Sequence, residues 1–143
     1  MTVLLPWVVD GRSEPLVTTG STGAGDCVYV TYLDGLHVLV GHDKWGYGGA
    51  KSAPIAVDPT VPQEIEINMV SMHRFGEGAA PGGSSGPGKN LTVTWNGVAV
   101  LTEDSGAYPS APDHVTVGEN RIGGSTALPR FSGEILKITR GAP

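Results

Sequence analysis

Apolar and polar side chains alternate along two short segments, residues 64–69 and 90–95. This period of two residues is typical of a β-strand with one buried and one solvated face. Residues 36–41 repeat the pattern, so several strands each have an apolar face to bury. We expect the buried faces to meet in one core. The predicted core side chains are Leu91, Val93, Trp95, Val38, Val40, Ile65 and Ile67.

Two turn signals connect these segments into hairpins. Asp34-Gly35 lies between residues 27–32 and 36–41, and Asn96-Gly97 leads into residues 98–101. Both dipeptides favour the positive φ angles of tight two-residue hairpin turns. Further strands are predicted at residues 115–117 and 133–140.

The fold class predicted from this pattern is all-β, an antiparallel two-sheet sandwich. No segment has a sustained helical period, and 22 Gly and 11 Pro in 143 residues disfavour long helices. Strands with one apolar face each are buried by packing one sheet on another. We expect residues 1–143 to form one domain, with residues 76–89 as a Gly/Pro/Ser-rich loop inside it.

Composition narrows the classes of partner. The net charge of -5 argues against nucleic acid and anionic membrane surfaces as partners. The first eleven residues have neither the pattern of a signal peptide nor the length of a membrane span. Cys27 is the single cysteine, so no intrachain disulfide forms, and its apolar neighbours predict a buried thiol. The compartment stays open, and an extracellular or virion surface location is compatible with the sequence.

Three segments in the second half of the chain resemble the concanavalin A-like lectin and glucanase family, which includes laminin G-like domains. They are the polar-Gly turn within residues 93–98, the Ile122-Gly123-Gly124 element, and Phe131-Ser132-Gly133-Glu134-Ile135. The resemblance implies a jelly roll of the concanavalin A-like type with a curved face. It also implies glycan binding and, in some members, glycan hydrolysis.

The hydrolytic branch of that family can be compared with residues 64–69. The segment is similar to a glucanase strand that contains a nucleophile and an acid, but Asn68 and Met69 stand where the final carboxylate is expected. Glu64 and Glu66 are about 6.8 Å apart on one face of a strand, a spacing compatible with glycosidase carboxylate pairs. The alternative is that both line a solvated strand face. We expect no enzyme activity.

The segment from His42 to Gly49 has the most suggestive chemistry. Sugars need a flat aromatic surface for their C–H face and polar groups for their hydroxyls, and His42, Asp43, Trp45 and Tyr47 offer both. These four residues are the predicted ligand-binding site. The alternative is that Trp45 covers one end of the core while Asp43 caps a turn. No cofactor is expected, and scattered histidines and acids give no metal-site spacing.

Three functions therefore compete. The first is a non-catalytic, lectin-like carbohydrate-binding module. The second is a structural or assembly protein of a virus, appendage or cell surface, in which the sandwich is a rigid unit of a homo-oligomer or larger assembly. The third is a glycoside hydrolase of the glucanase type.

Overall fold

The computed structural model of the protein describes residues 1–72, 91–104, 108 and 110–141. Within these residues, ten strands and two short 3-10 turns are present, so the all-β prediction is confirmed. The predicted loop at residues 76–89 lies outside the described residues. The strands are β1 (Thr2–Leu4), β2 (Ser13–Ser21), β3 (Ala24–Asp34), β4 (His37–Lys44), β5 (Ile55–Ala56), β6 (Gln63–Met69), β7 (Leu91–Trp95), β8 (Val98–Glu103), β9 (Thr116–Val117) and β10 (Glu134–Lys137). The 3-10 turns are Val70–Met72 and Pro112–His114.

The described strands form two antiparallel sheets of five strands each. The first sheet has the order β10-β1-β6-β7-β8, and the second has the order β5-β4-β3-β2-β9. One continuous cluster of buried side chains contains residues from both sheets, such as Ile65 of the first and Val40 of the second. The two sheets therefore pack face to face as a sandwich.

All seven side chains that alternation predicts for the core belong to it or pack against it. Leu91, Val93 and Trp95 are buried, and Ile67 is partly buried against the same cluster. The polar partners of these residues on β6 and β7 are partly or fully exposed. The side chains that alternate along these strands thus leave one face buried and the other face solvated. The remaining predicted core residues that are buried are Val38, Val40 and Ile65.

Both predicted hairpins are present, but their turns differ. Asn96 has φ 48° and Gly97 has φ 81°, as a two-residue turn between β7 and β8 requires. The turn between β3 and β4 consists of Gly35 and Leu36, and Gly35 is not among the glycines with positive φ. There the Asp34 carboxylate accepts a hydrogen bond from the Leu36 amide at 2.7 Å. An Asx turn therefore replaces the expected positive φ, and Leu36 is exposed rather than inward-facing.

The second sheet is covered on both faces, which explains why β2 was not predicted. Six consecutive residues from Glu14 to Thr19 are buried. The outer face of this sheet is covered by residues 118–132, which bond back to it: the Leu128 amide donates to the carbonyl of Ser13. A strand buried on both faces does not alternate, so the period-two pattern fails for β2.

The last two predicted strands are shorter in the structure than in the sequence pattern. β9 is limited to Thr116–Val117 and β10 to Glu134–Lys137. β10 pairs with the first residues of the chain in β1. Among the described residues, no helix is long and apolar enough to cross a membrane.

Candidate functional site

The four predicted site residues lie at the end of β4 and in the turn after it, but they face different directions. His42 and Asp43 belong to β4, which continues through Lys44. Successive side chains of a strand point to opposite faces. His42 and Lys44 therefore face one side of the second sheet, while Asp43 and Trp45 face the other. The prediction placed all four residues in one ligand-binding site, whereas the structure divides them between the two faces.

His42 lies between two carboxylates, in what we call the buried triad of Asp26, His42 and Glu103. The distance from Nε2 to Oδ1 of Asp26 is 2.8 Å, and from Nδ1 to Oε2 of Glu103 is 2.5 Å. Asp26 and His42 belong to the second sheet, whereas Glu103 belongs to β8 of the first. The triad thus connects the two sheets at one end of the sandwich.

The geometry of the triad favours a charged imidazole. An ionised carboxylate only accepts hydrogen bonds, so both ring nitrogens of His42 donate when both acids are ionised. Burial of His42 disfavours the imidazolium, but hydrogen bonds to Asp26 and Glu103 outweigh it and raise the pKa of His42 above its ordinary value. His42 is only 2% exposed. A ligand on the surface therefore does not contact it directly.

Asp43 and Trp45 lie on the outer face of the second sheet. The Thr126 hydroxyl donates a hydrogen bond to Oδ2 of Asp43. Trp45 is partly buried against a small apolar cluster that is separate from the main core. This outer cluster consists of Cys27, Tyr29, Ile122 and Ala127.

The outer cluster also settles the state of the single cysteine. Burial raises the pKa of Cys27 to about 12, and the nearby carboxylate of Asp43 adds to the shift. The thiol is therefore protonated at neutral pH, and a protonated, buried thiol is a poor nucleophile. The prediction that the Cys27 thiol is buried is confirmed.

Tyr47 belongs to a group of three side chains that we call the aromatic platform: Lys44, Tyr47 and Tyr108. The ring centroids of Tyr47 and Tyr108 are 6.4 Å apart with an angle of 50° between the planes. Nζ of Lys44 is 5.2 Å from both ring centroids, within the range of a cation–π interaction. Tyr47 is 79% exposed. The platform therefore presents aromatic surface and a cation to solvent.

Hydrogen bonds attach the platform to the buried triad. The Tyr108 amide donates to Oδ2 of Asp26 at 2.8 Å, and the Tyr108 hydroxyl donates to the Trp45 carbonyl at 2.8 Å. Asp26 thus uses one oxygen for His42 and the other for Tyr108. The position of Tyr108 therefore depends on the Asp26 carboxylate and on the backbone of Trp45.

A tight turn after β4 positions Tyr47. The Tyr47 amide donates to the Lys44 carbonyl at 2.8 Å, and the Lys44 amide donates to the Gly48 carbonyl at 2.9 Å. At Gly49 the chain returns close to β4, where a Cβ would lie 2.0 Å from the His42 carbonyl oxygen. Only glycine permits this approach. The turn therefore displays Tyr47 outward on a well-bonded backbone.

Several important residues of this region were not identified from the sequence. Asp26, Glu103 and Tyr108 are distant from His42 along the chain, and no local spacing connects them. Lys44 was not selected, although the alternation of β4 places it on the face of His42. Among the described residues, no cluster of His, Cys, Asp and Glu could hold a metal ion.

The predicted carboxylate pair lies elsewhere, on the outer face of β6. Glu64 and Glu66 are both exposed, and both line a cavity beside β6. Across the strand pair, Glu66 lies opposite Thr94, and the Glu64 amide donates to Oδ1 of Asn96 at 2.8 Å. The described surroundings thus provide hydroxyl and amide groups on this face.

Comparison with known proteins gives no relative for this chain. No protein-family model matches it, and searches of curated proteins and of solved structures give no significant match. The class that the fold defines is a two-sheet β-sandwich.

Proposed function

We propose that this protein is a non-catalytic carbohydrate-binding module on a sandwich of the concanavalin A-like jelly-roll type. The observation that carries the proposal is the aromatic platform, in which a largely exposed tyrosine ring stands beside a second ring and an ammonium group. A pyranose packs its C–H face on an aromatic ring and directs its hydroxyls to polar groups at the edge. Tyr47 provides the ring, and Lys44 provides the donor.

Hydrogen bonds hold the backbone of the platform and the Tyr108 side chain in place, which favours binding. The turn that contains Tyr47 is closed by two backbone hydrogen bonds, and Tyr108 is bonded through both its amide and its hydroxyl. Side chains that are already ordered lose less entropy when a ligand binds. In this proposal His42 supports the platform from below. Asp43 and Trp45 form a separate candidate contact surface on the outer face.

The test is a glycan array, run with and without calcium, followed by calorimetric titration of the best ligand. Tyr47→Ala is expected to weaken binding at least about tenfold, equivalent to about 1.4 kcal/mol, because a stack adds to the burial of apolar area. Trp7→Ala is the matched control, since Trp7 is also a highly exposed aromatic residue. An empty array, or equal affinities of Tyr47→Ala and the unchanged protein, would contradict the proposal.

Trp45→Ala separates the two surfaces. Because Trp45 packs on the outer cluster, its removal is expected to lower the melting temperature. If glycan affinity falls with Trp45→Ala and not with Tyr47→Ala, the ligand binds at the outer face instead. Turnover of a β-glucan that disappears in Glu64→Gln would contradict the non-catalytic assignment.

A second candidate function, assembly into a larger structure, is favoured by one specific surface. The turn patch consists of Trp7, Val9, Leu33 and Leu36, all exposed. Trp7 and Val9 both lie against Gly35: the site of an added Cβ there is 3.3 Å and 3.7 Å from their nearest atoms. Contiguous exposed apolar side chains are typical of protein interfaces.

Light scattering over a range of concentrations tests this candidate. Assembly through the turn patch predicts a mass that rises with concentration and returns to that of the monomer in Trp7→Ala. Tyr47→Ala is here the control and is expected to leave the mass unchanged. A monomer at every concentration would contradict the assembly function.

A further inference from the structure

The two carboxylates of the buried triad differ in their access to water. The Asp26 side chain is 0% exposed, whereas the Glu103 side chain is 15% exposed. Asp26 is also fixed by a second donor, because its other oxygen accepts from the Tyr108 amide. A carboxylate that loses its hydrogen-bond donor can leave the triad only where water can replace that donor. Glu103 is therefore the acid of the triad that is able to move.

Loss of the extra proton from His42 removes one hydrogen bond of the triad. The imidazolium donates from both ring nitrogens, whereas the neutral ring donates from one nitrogen and has a lone pair on the other. A lone pair and an ionised carboxylate repel each other at hydrogen-bond distance. Because Asp26 has no access to water, the remaining proton stays on Nε2, and the lone pair of Nδ1 faces Glu103 at 2.5 Å. Glu103 is then expected to turn toward solvent.

Among the described residues, three charged groups face His42. Asp26 approaches from β3, Glu103 approaches from β8, and Lys44 lies on the same face of β4. Lys51 pairs with the residue before His42, so its side chain lies on the other face of the sheet. The two carboxylates outweigh the single ammonium group and hold the imidazole in its charged form. A rise in pH removes that charge.

The contact between His42 and Glu103 also supports the chain that returns from the Tyr47 turn. At Gly49 a Cβ would lie 3.2 Å from Nδ1 of His42, so the backbone passes close to this edge of the ring. The Ala50 amide donates to Oε2 of Glu103 at 3.5 Å, and the Ala50 carbonyl accepts from the His42 amide at 2.9 Å. Glu103 thus bonds both the imidazole and the backbone beside it. Its departure removes an acceptor from this backbone and admits water to the edge of the ring.

We propose that the buried triad is a pH-sensitive switch that controls the order of the aromatic platform, with Glu103 as its moving part. When His42 is charged, Glu103 is bound to it, and the chain that follows Tyr47 is held against β4. When His42 is neutral, Glu103 turns to solvent and this chain loosens. Tyr108 keeps its bond to the buried carboxylate in both states. The two rings of the platform then no longer have one fixed arrangement.

The consequence for binding rests on the proposed function. A glycan that stacks on Tyr47 has to order a loosened turn when His42 is neutral, and this ordering weakens binding. The affinity is therefore high while His42 is charged and falls as the pH rises through its titration. Linkage is reciprocal, so a bound glycan is expected to move the titration of His42 to higher pH.

The first experiment examines the switch without a glycan. The protein is labelled with carbon-13 in its histidine rings, tyrosine rings and alanine methyl groups, and the NMR signals are followed from pH 5 to pH 9. The His42 ring and the Ala50 methyl group are expected to titrate with one midpoint, and ring relaxation is expected to show more motion of Tyr47 at pH 9. A His42 ring that does not titrate, an Ala50 signal that does not follow it, or equal motion of Tyr47 throughout would overturn the proposal.

Glu103→Gln is the test variant, because it removes the charge and keeps the shape of the side chain. A glutamine amide accepts from Nδ1 when that nitrogen is protonated and donates to it when it is not. The motion of Tyr47 is therefore expected to stay low from pH 5 to pH 9 in this variant. Glu66→Gln is the matched control, since it makes the same change at an exposed position outside the triad and is expected to keep the pH dependence. Equal pH profiles in the two variants would contradict the assignment of Glu103 as the moving part.

Calorimetric titration with the uncharged array glycan of highest affinity then measures the effect on binding. From pH 6 to pH 9 the dissociation constant is expected to rise at least about fivefold in the unchanged protein and in Glu66→Gln. In Glu103→Gln it is expected to change by less than about twofold. An empty array would contradict the proposed function without altering the NMR result. An affinity that does not depend on pH, in a protein whose Tyr47 does loosen, would overturn the regulation alone.

Discussion

Trp95 shows how one buried residue combines apolar packing with polar satisfaction. Its ring is in the core, and its Nε1 donates to Oε1 of Gln63 at 3.0 Å. Gln63 in turn donates to the carbonyls of Asp58 and Val61. A buried indole N–H without a partner would carry a desolvation cost. The Gln63 side chain removes that cost and connects the core to the loop before β6.

The first prediction concerns this residue. Trp95→Ala is expected to lower the free energy of unfolding by about 3 to 5 kcal/mol, as other large-to-small aromatic changes in cores do. Denaturant titration measures the change. Trp7→Ala, at an exposed position, is the control and is expected to change stability by about 0.5 kcal/mol or less. A loss below about 1 kcal/mol in Trp95→Ala would show that Trp95 is not a core residue.

At the scale of elements, the two hairpins stabilise their turns in different ways. Asn96-Gly97 depends on backbone conformation, since both residues have positive φ. The β3–β4 turn depends on a side chain, because Asp34 bonds both the Leu36 amide and the His37 ring. These hydrogen bonds lower the pKa of Asp34 below its ordinary value. Similar dipeptides in the sequence thus produce different turns.

The second prediction compares glycines in these turns. Gly97→Ala is expected to lower the free energy of unfolding by about 1 to 2 kcal/mol, because the φ of 81° at this position is unfavourable for a residue with a Cβ. The strain is conformational, since a Cβ at Gly97 contacts nothing within 4 Å. Gly35→Ala is expected to cost about 0.5 kcal/mol or less, since the nearby Trp7 ring is exposed and can move aside.

Asp34→Ala completes the comparison. Loss of the Asx turn is expected to lower the melting temperature, because the Leu36 amide then loses its side-chain acceptor. Thermal melting of the three variants side by side measures the order of the effects. If Gly35→Ala were as costly as Gly97→Ala, the β3–β4 turn would depend on backbone conformation after all.

At the scale of the whole molecule, the buried triad is a polar connection between two sheets whose described interface is largely apolar. Glu103 comes from the first sheet, and Asp26 and His42 come from the second. Removing one member of such a group leaves buried charge without compensation, which is strongly destabilising. The triad therefore makes the packing of the sheets dependent on protonation.

The third prediction is the direction of that dependence. The pKa of His42 is raised in the folded protein, so its contribution is complete below the unfolded pKa of about 6.5 and is lost as the pH rises through the folded pKa. Over this interval the folded state binds the extra proton, and stability decreases by up to about 1.4 kcal/mol per pH unit. Urea titrations from pH 6 to 9 measure the slope.

His42→Gln is the test variant, and His37→Gln is its control. His37 contacts a carboxylate as well, but at an exposed position where an ion pair contributes little. We expect the free energy of unfolding to fall with rising pH in His37→Gln as it does in the unchanged protein. In His42→Gln this decrease is expected to disappear, and the variant is expected to be less stable at pH 6. An unchanged slope in His42→Gln would assign the pH dependence to other groups.

The sequence by itself determined the elements in which one face is solvated. Leu91, Val93 and Trp95 alternate with polar residues because β7 has one wet side, and the period of two records that difference directly. The turn at Asn96-Gly97 was predictable because both residues readily adopt positive φ, which is a local property of the backbone. The all-β class and the core of β6 and β7 follow from such local signals.

Only the tertiary structure decided what depends on distant residues. β2 is buried on both faces because residues 118–132 cover it, which erases its alternation. Asp26, His42 and Glu103 meet because two sheets stack, a pairing that no local spacing encodes. The predicted ligand-binding residues His42 and Asp43 lie on opposite faces because β4 continues through Lys44, and neighbouring side chains of a strand point in opposite directions. Contacts of this kind are set by how the sheets pack, and sequence order does not contain that information.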